Sequence, residues 1–136
     1  MIQQYEISLM PKERGIHLVT GEIERQLKEL PDQGLIHLFL LHTSASLGLN
    51  ENADPNVRSD MHHSLENMVP ENQEHFKHVQ EGSDDMPGHI KSAMIGHQIT
   101  IPITKKTLCM GTWQGIYFYE FRNHGGSRRI LVTQYS

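Results

Sequence analysis

The chain has almost no cysteine, and that scarcity limits the kinds of protein it can be. Cys109 is the only thiol among 136 residues, so no internal disulfide can form. Small secreted domains are commonly stapled by disulfides, whereas a single thiol is typical of a reducing cytoplasmic compartment, where we expect this protein to work. Cys109 lies in the strand-like stretch TLCMG, which predicts a buried, inert thiol rather than a nucleophile.

Long apolar runs and an excess of positive charge are also missing. The apolar stretch Leu38 to Leu41 is far shorter than the roughly 20 residues that a membrane-spanning helix needs. The first residues, MIQQYEISLM, lack the basic-then-apolar layout of a signal peptide. The formal net charge is -4 with neutral histidines, so neither nucleic acid nor an anionic membrane is indicated as a partner.

Histidine, by contrast, is abundant. The chain has ten, at positions 17, 37, 42, 62, 63, 75, 78, 89, 97 and 124. Their dispersion argues against an expression tag, and most are expected to be solvated surface residues, so the question is which two or three converge. The remaining composition, 37% hydrophobic and 21% charged, is ordinary for a globular protein, and the length predicts a single domain over residues 1–136.

Hydrophobic patterning predicts an α+β fold: a single compact domain with a mostly antiparallel sheet and about three helices. Seven strand-like pieces are predicted, namely QQYEISL, IHLVT, GLIHLFLLHTS, HQITIPI, TLCM, GIYFYEF and RRILVTQY. The third is apolar on both faces, which indicates a sheet covered on both sides. RNHGGS is expected to join the last two strands as a hairpin, with Gly125 and Gly126 supplying positive backbone angles.

Three segments have helical patterns. TGEIERQLKEL predicts a helix with Thr20 as its N-cap, and the next helix follows the cap Asp54, with Pro55 at its first position. The third, DMPGHIKSAMIG, is expected to begin at Asp85 and to end at Gly96. The residues of this helix expected to face the core are Ile90, Ala93 and Met94.

Four stretches carry polar groups that ordinary turns do not explain. They are HTSAS at 42–46, NENADP at 50–55, SDDMPGH at 83–89 and GTWQG at 111–115. The first ends a buried-looking strand in groups that ligate metals, move protons and hydrogen-bond phosphates, where turns usually use Gly, Pro, Asn or Asp. The third places His89 beside free backbone N–H groups at the positive end of a helix dipole.

Several of these motifs together resemble the YjbQ-like family. The resemblance is carried by HTSASLGLNENADPNVR, GSDDMPGHIKS, ITIPITKKTLCMGTWQGIYFYEF and GGSRRILVT, in this order and over nearly the whole chain. The family consists of small proteins described as secondary thiamine-phosphate synthases. The resemblance implies a compact α+β fold and a homotrimer with a site near the subunit interface.

The reaction implied by the resemblance joins a pyrimidine bearing a diphosphate ester to a thiazole phosphate and releases pyrophosphate. A divalent cation and hydrogen-bond donors would help the diphosphate to leave. The candidate catalytic residues are His42, Glu51, Asp84, Asp85, Trp113 and Gln114. The candidate phosphate-binding residues are Thr43, Ser44, Lys91 and Arg128.

His42, His78 and His89 are the imidazoles expected to converge on a divalent metal, because they occupy positions that look shared with the family motifs. Imidazole favours zinc or manganese, while the neighbouring carboxylates suit magnesium, so the metal stays open among the three. Many family members carry a histidine where this chain has Pro87. That departure favours an open site completed by water over a centre with only protein ligands.

Two other functions fit the same residues. One is a non-catalytic trimer that binds a phosphorylated small molecule, and the other is a metal-dependent hydrolase of a phosphate or an ester. A serine hydrolase is not indicated by Ser44 or Ser46 beside His42. Neighbouring residues on a strand alternate faces, and the chain has no nucleophile elbow.

Overall fold

Eight strands and three helices make up the computed structural model, which describes all 136 residues. The strands are β1 (Ile2–Leu9), β2 (Gly15–Leu18), β3 (Gln33–Leu40), β4 (Ala45–Glu51), β5 (Gln98–Thr104), β6 (Thr107–Leu108), β7 (Gln114–Glu120) and β8 (Arg128–Tyr135). The helices are α1 (Thr20–Glu24), α2 (Pro55–Met68) and α3 (Asp85–Ile95). The predicted class is confirmed: one α+β domain with antiparallel sheets and three helices.

The strands form two antiparallel sheets that share one core. The five-stranded sheet has the order β1-β8-β3-β5-β6, and the three-stranded sheet has the order β2-β7-β4. Because side chains alternate along a strand, each sheet turns one set of apolar residues toward the other. From β3 these are Ile36, Leu38 and Leu40, and from β7 they are Ile116 and Phe118.

The second face of the three-stranded sheet is covered by helices. Tyr117, Tyr119 and Phe121 alternate with the core residues of β7 and pack with Leu65 of α2. Helix α3 approaches the same sheet closely at Gly88, where a Cβ atom would lie 3.3 Å from the Cβ of Phe121. The molecule therefore has three layers, and α3 lies against the end of β7.

The second face of the five-stranded sheet has no covering layer within the chain. Leu35 and Tyr135 point away from the core and are 44% and 41% exposed. Phe39 lies on the same face and is half-buried. The prediction that the GLIHLFLLHTS strand is covered on both sides is therefore not met within a single chain.

The segment ASLGLNE forms β4, a strand that hydrophobic patterning did not predict. It pairs with β7 from Ala45 opposite Glu120 to Glu51 opposite Gln114. Gly48 interrupts the apolar alternation because the ring of Tyr119 takes the space of its side chain, 3.2 Å from where a Cβ would lie. The number of strands is therefore eight rather than seven.

The predicted hairpin between the last two strands is wrong. β7 belongs to the three-stranded sheet and β8 to the five-stranded sheet, so RNHGGS crosses from one sheet to the other. Gly126 has a positive φ of 69°, as predicted, but Gly125 does not. Glycine is required at position 125 because the backbone there passes close to Glu120, and a Cβ atom would overlap the carboxylate of that residue.

The first helix is shorter than its pattern predicted. α1 ends at Glu24, and the amide N–H of its C-cap Arg25 donates to the carbonyl of Gly21. The residues that follow are also held to β1. The side chain of Gln26 donates to the carbonyl of Ser8 at 2.8 Å, and the amide of Lys28 donates to the hydroxyl of Tyr5 at 2.9 Å. Thr20 is not the N-cap, since its hydroxyl accepts the amide N–H of Ile116 at 2.8 Å.

Helix α2 begins as predicted. The carboxylate of Asp54 accepts the amide N–H of Asn56 at 2.9 Å, and Pro55 takes the first helical position. No helix of the structure combines the length and the apolar character needed to cross a membrane.

Helix α3 turns a different face inward from the predicted one. Ala93 and Met94 are exposed, whereas Lys91 and Ser92 are buried. The hydroxyl of Ser92 donates to the carbonyl of Ala45 at 2.9 Å, which satisfies it inside the fold. A polar pair of this kind cannot be recognised by hydrophobic periodicity, because its partners are distant in sequence.

Cys109 is exposed, so the prediction of a buried thiol is wrong. It follows β6, which has only two residues and lies at the edge of the five-stranded sheet. β6 pairs only with β5, so no strand lies on its other side to cover Cys109.

Candidate metal centre and adjoining cavity

His78, Asp85 and His89 converge at the N-terminal end of α3. One potential ligand atom from each lies within 4.8 Å of the other two. The Oδ2 atom of Asp85 is 2.7 Å from Nε2 of His78 and 3.1 Å from Nε2 of His89. The two imidazole rings meet edge to face, with centroids 5.3 Å apart. Two of the three histidines predicted to share a metal are therefore together, joined by a predicted catalytic carboxylate.

Helical geometry and a docked loop bring these three side chains together. Asp85 and His89 are four residues apart on α3, so they lie on one face of the helix. His78 comes from the connection between α2 and α3. That connection is held to the body through Glu71, whose carboxylate accepts from Arg14 at 2.7 Å and from the hydroxyl of Ser83 at 2.9 Å.

Asp85 is a buried carboxylate that stays ionised. Burial is the largest single influence and acts to raise the pKa of Asp85, but the hydrogen bond from His78 and the neighbouring charges together outweigh it. Positive charge at His89 and Arg122 acts in the same direction as His78, so the pKa of Asp85 lies below its ordinary value. Arg122 donates to Oδ1 at 2.7 Å, which leaves Oδ2 to the histidines.

Asp84 fixes that arginine and does not itself join the histidines. Its Oδ2 accepts from Nε of Arg122 at 2.8 Å and from the amide of Asn123 at 2.9 Å. Burial acts to raise the pKa of Asp84, but these two donors outweigh it and lower the pKa. The predicted catalytic pair Asp84 and Asp85 therefore divides into an orienting residue and a residue of the centre.

His89 has a hydrogen-bond acceptor in front of each ring nitrogen. Nδ1 is 2.9 Å from the carbonyl oxygen of Thr43, and Nε2 is 3.1 Å from the carboxylate of Asp85. A neutral imidazole has only one N–H, so it can satisfy only one of these acceptors. If Nδ1–H donates to the carbonyl of Thr43, the Nε2 lone pair faces the carboxylate of Asp85, and a cation bound between the two would satisfy both.

The three side chains fit a divalent cation. Ligand atoms around tetrahedral zinc lie about 3.3 Å apart, given bonds of about 2.0–2.1 Å. The carboxylate of Asp85 lies 3.1 Å from His89 and 2.7 Å from His78, so His78 would have to move back by about half an ångström to admit an ion. The bond from Nδ1 of His89 to a backbone carbonyl is the kind of contact that orients a metal-binding histidine. Two imidazoles and a carboxylate could hold zinc or manganese better than magnesium, with coordination positions left open.

A cavity of about 560 Å³ adjoins the centre and shares His89 with it. Phe39, Leu41 and Ala93 contribute apolar walls, and the remaining lining includes Thr43 and three histidines, His42, His89 and His97. No carboxylate lines this cavity. It can therefore accept a molecule whose polar end is a hydrogen-bond acceptor or an anion.

His42 lines the cavity but is not part of the three-residue centre. Its Nε2 accepts the backbone N–H of Arg129 at 2.8 Å, at the start of β8. Burial, together with the charges of Arg128 and Arg129, lowers the pKa of His42. The structure thus separates His42 from His78 and His89, although all three were predicted as ligands of one metal.

The four predicted phosphate-binding residues lie in different environments. Thr43 lines the cavity. Ser44 and Arg128 are buried and bonded to each other at 3.1 Å, and Arg128 also forms an ion pair with Glu120. Lys91 is completely buried, and its ammonium group is 2.6 Å from Glu66. Only Thr43 among the four is presented to the cavity.

Glu51, Trp113 and Gln114 lie at the other end of the β4–β7 pair. They are six residue steps along β4 from Ala45, which corresponds to about 20 Å at the usual rise of a strand. Glu51 accepts the amides that precede α2, and Gln114 accepts an amide within its own turn. Trp113 is 64% exposed. These three candidate catalytic residues therefore do not meet the histidines within one chain.

Sequence reasoning missed Arg122, which orients both aspartates. The adjacent acids Asp84 and Asp85 were a usable signal, because two buried carboxylates need a positive charge nearby. It was not specific, since the chain has twelve lysines and arginines and the helix is far from Arg122 in sequence.

These features define a class: a three-layer sandwich with an open histidine–aspartate centre at the start of its last helix. The chain belongs to the UPF0047 YjbQ-like family, whose model matches residues 5–136. The UPF0047 protein YjbQ of Escherichia coli O157:H7 is 52% identical over 135 residues, covering 98% of this chain and 97% of the relative.

Solved structures share the fold. A conserved hypothetical protein of Thermus thermophilus superimposes with a TM-score of 0.83 at 28% identity, covering 94% of this chain and 97% of the other. An uncharacterised YjbQ/UPF0047 protein of Clostridium acetobutylicum has a TM-score of 0.77 at 31% identity, with coverage of 94% and 97%. Both are similar along nearly their whole length, so the fold applies to the complete domain.

Proposed function

We propose that this chain is a metal-dependent enzyme acting on phosphorylated small molecules, with thiamine-phosphate formation as its reaction. One observation carries the proposal: His78, Asp85 and His89 converge beside a cavity that has no carboxylate in its lining. The reaction follows from the family resemblance and joins a pyrimidine diphosphate to a thiazole phosphate. A bound zinc, manganese or magnesium ion would neutralise charge on the departing diphosphate.

The residues of the chain have separate roles in this proposal. Asp85 and His89 hold the metal from one turn of α3, and His78 completes the set when its loop is docked. Thr43 contributes its carbonyl to the orientation of His89 and lines the cavity with its side chain. The apolar walls exclude water from the bond that breaks, which strengthens every electrostatic contact there.

A homotrimer is part of the proposal, in the reducing cytoplasmic compartment that the single cysteine favours. Two features support self-association: the uncovered sheet face with Leu35 and Tyr135, and the exposed Trp113 about 20 Å from the histidines. In a trimer, Glu51, Trp113 and Gln114 of one subunit can complete the cavity of another. Light scattering measures the assembly directly, against a chain mass of 15.6 kDa.

The test of the proposal is turnover by the protein loaded with zinc, manganese or magnesium. Both substrates are supplied at saturation, and thiamine phosphate is measured by chromatography. His89→Ala is expected to reduce turnover on the order of 100-fold or more, because even residues that support ligands cost 10- to 100-fold. His63→Ala is the matched control, since His63 is exposed on α2 and belongs neither to the centre nor to the cavity lining, and it should retain full activity.

The same experiment separates the alternatives. A hydrolase is supported by the open coordination positions that three protein ligands leave, as in catalytic metal sites. Release of phosphate or alcohol from generic esters, lost in His89→Ala, would favour it over thiamine-phosphate formation. Stabilisation by pyrophosphate without any turnover would favour a binding protein. Turnover equal in the wild type and His89→Ala would reject the metal centre as the site.

A further inference from the structure

His42 ends the β3 strand and binds the first residues of β8. Its Nε2 atom lies 2.8 Å from the amide nitrogen of Arg129. A backbone amide is only a donor, so Nε2 must be the acceptor and cannot carry a proton. This contact also occupies the Nε2 lone pair that a metal would need.

The tautomer of His42 follows from this single hydrogen bond. With Nε2 unprotonated, the proton of the imidazole must be on Nδ1. Nδ1 makes no hydrogen bond within the chain, and the residue lines the 560 Å³ cavity. His42 therefore brings to this wall an N–H group that has no partner in the protein.

The surroundings keep this imidazole neutral. Burial lowers the pKa of His42, and the positive charges of Arg128 and Arg129 lower it further. The carboxylates of Glu120 and Glu6 act in the opposite direction but do not reverse the shift. Both carboxylates are themselves paired, Glu120 with Arg128 and Glu6 with Arg129.

We propose that His42 is a fixed, neutral hydrogen-bond donor whose Nδ1–H binds an oxyanion of the ligand, and that it is neither a metal ligand nor a base. The ligand class rests on the proposed function, while the tautomer rests on the Arg129 contact alone. A half-buried cavity wall with an unpaired donor and no carboxylate is complementary to phosphate oxygens. Thr43 offers a second donor beside it, since its hydroxyl bonds to no other group of the chain.

Two substitutions of His42 test its two ring nitrogens separately, because each keeps the hydrogen bond of one nitrogen and removes that of the other. His42→Gln places an amide oxygen near the position of Nε2, so it can still accept from Arg129, but it has no N–H at the Nδ1 position. His42→Asn does the reverse: its amide N–H lies near the position of Nδ1, and the acceptor for Arg129 is lost. Each variant is the matched control for the other.

The binding test uses the metal alone and then inorganic phosphate titrated into the metal-loaded protein. His42→Gln is expected to bind zinc like the wild type but to bind phosphate about 10-fold or more weakly, as for a lost bond to a charged group. His42→Asn should keep phosphate affinity within about 3-fold and lower the melting temperature by several degrees, because the Arg129 amide is left unsatisfied.

A direct test needs no ligand. Long-range nitrogen–proton NMR spectra should show the Nδ1–H tautomer of His42 between about pH 7.5 and pH 8, where even an ordinary imidazole is mostly neutral. An Nε2–H tautomer or an imidazolium in that range would overturn the inference, as would zinc binding lost in His42→Gln. Wild-type protein that binds zinc but not phosphate would overturn the ligand assignment and leave the metal centre standing. Failure of zinc to bind at all would instead reject the proposed function, while the NMR result would still decide the tautomer.

Discussion

Helix α3 carries two polar clusters one turn apart, and they are built on different principles. The ionic cluster, made of Lys91, Glu66, Arg14 and Glu71, matches each charge with a partner inside the chain. The histidine centre, made of His78, Asp85 and His89, leaves His89 facing two acceptors. Every charge of the first cluster has a counter-charge in the chain, whereas in the second the carboxylate of Asp85 faces two imidazoles at a position that a bound cation would suit. Metal binding is therefore the property that should tell the two clusters apart.

Removal of the carboxylate from the histidine centre should have the largest effect of the changes considered. Asp85→Asn should weaken zinc binding on the order of 100-fold or more, because it removes the charge that both imidazoles face. Isothermal titration calorimetry with zinc alone measures the effect. Asp32→Asn is the control, since Asp32 is exposed and the chemical change is the same. Equal zinc affinity in wild type and Asp85→Asn would show that the centre is not the metal site.

The ionic cluster should respond in stability and not in metal binding. Glu66→Gln leaves Lys91 fully buried without its counter-charge and is expected to cost about 3 kcal/mol of unfolding free energy. Urea denaturation measures this loss. Zinc affinity should fall much less than in Asp85→Asn, because Glu66 contacts none of the three ligands and is linked to the loop of His78 through Arg14 and Glu71.

A second substitution checks the cause of that loss. Lys91→Met added to Glu66→Gln removes the unpaired charge and places an apolar side chain beside Phe121, where the ammonium group now lies 5.0 Å from the ring centroid. The double variant should recover most of the lost stability. If it is no more stable than Glu66→Gln alone, the buried charge is not the reason for the loss.

Acid titration gives the smallest of these effects and compares the clusters in one experiment. Burial acts to raise the pKa values of Glu66 and Asp85, but their donors outweigh it and both pKa values are lowered. A carboxylate with a lowered folded-state pKa contributes stability that is complete above its unfolded pKa, about 4, and is lost as pH falls toward the folded value. The metal-free protein should therefore lose stability below about pH 4.

Chemical denaturation across that pH range measures the contribution of each carboxylate. Asp85→Asn and Glu66→Gln should each lose less stability than the wild type, by about 1.4 kcal/mol for each unit by which the pKa is lowered. Asp32→Asn should follow the wild type. A wild-type slope left unchanged by both variants would contradict the assigned direction of the pKa shifts.

The parts of the fold that sequence predicted are those specified by neighbouring residues. Asp54 and Pro55 define the start of α2 through local capping, and the apolar run of β3 marks it as a strand without showing which face is buried. The strand β4 was missed because Gly48 is dictated by a ring on a different strand. The connection after Glu120 was wrongly predicted as a hairpin, since two glycines suit either a tight turn or close approach to a carboxylate.

The candidate site shows the same limit. The four-residue spacing of Asp85 and His89 on a helix could have indicated their pairing, but the trio predicted by resemblance was His42, His78 and His89. The burial of Lys91 depends on Glu66, twenty-five residues earlier, and nothing local indicates that pairing. The separation of His42 from the centre depends on the amide of Arg129, a backbone group present at every non-proline position and therefore invisible to motif reasoning.

Because Gly88 has no side chain, it sets the distance between α3 and the sheet, and with it the position of the histidine centre. The absent methyl group lets α3 rest directly on the sheet, with Phe121 and Ser44 on either side of the gap. The same helix turn bears the carboxylate and one imidazole of the centre, so the spacing between layers determines how far these ligands reach. A Cβ atom at this point would lie 3.3 Å from that of Phe121, so the helix and the sheet would have to give by a few tenths of an ångström. That small displacement would reach Asp85 and His89 although neither residue had been changed.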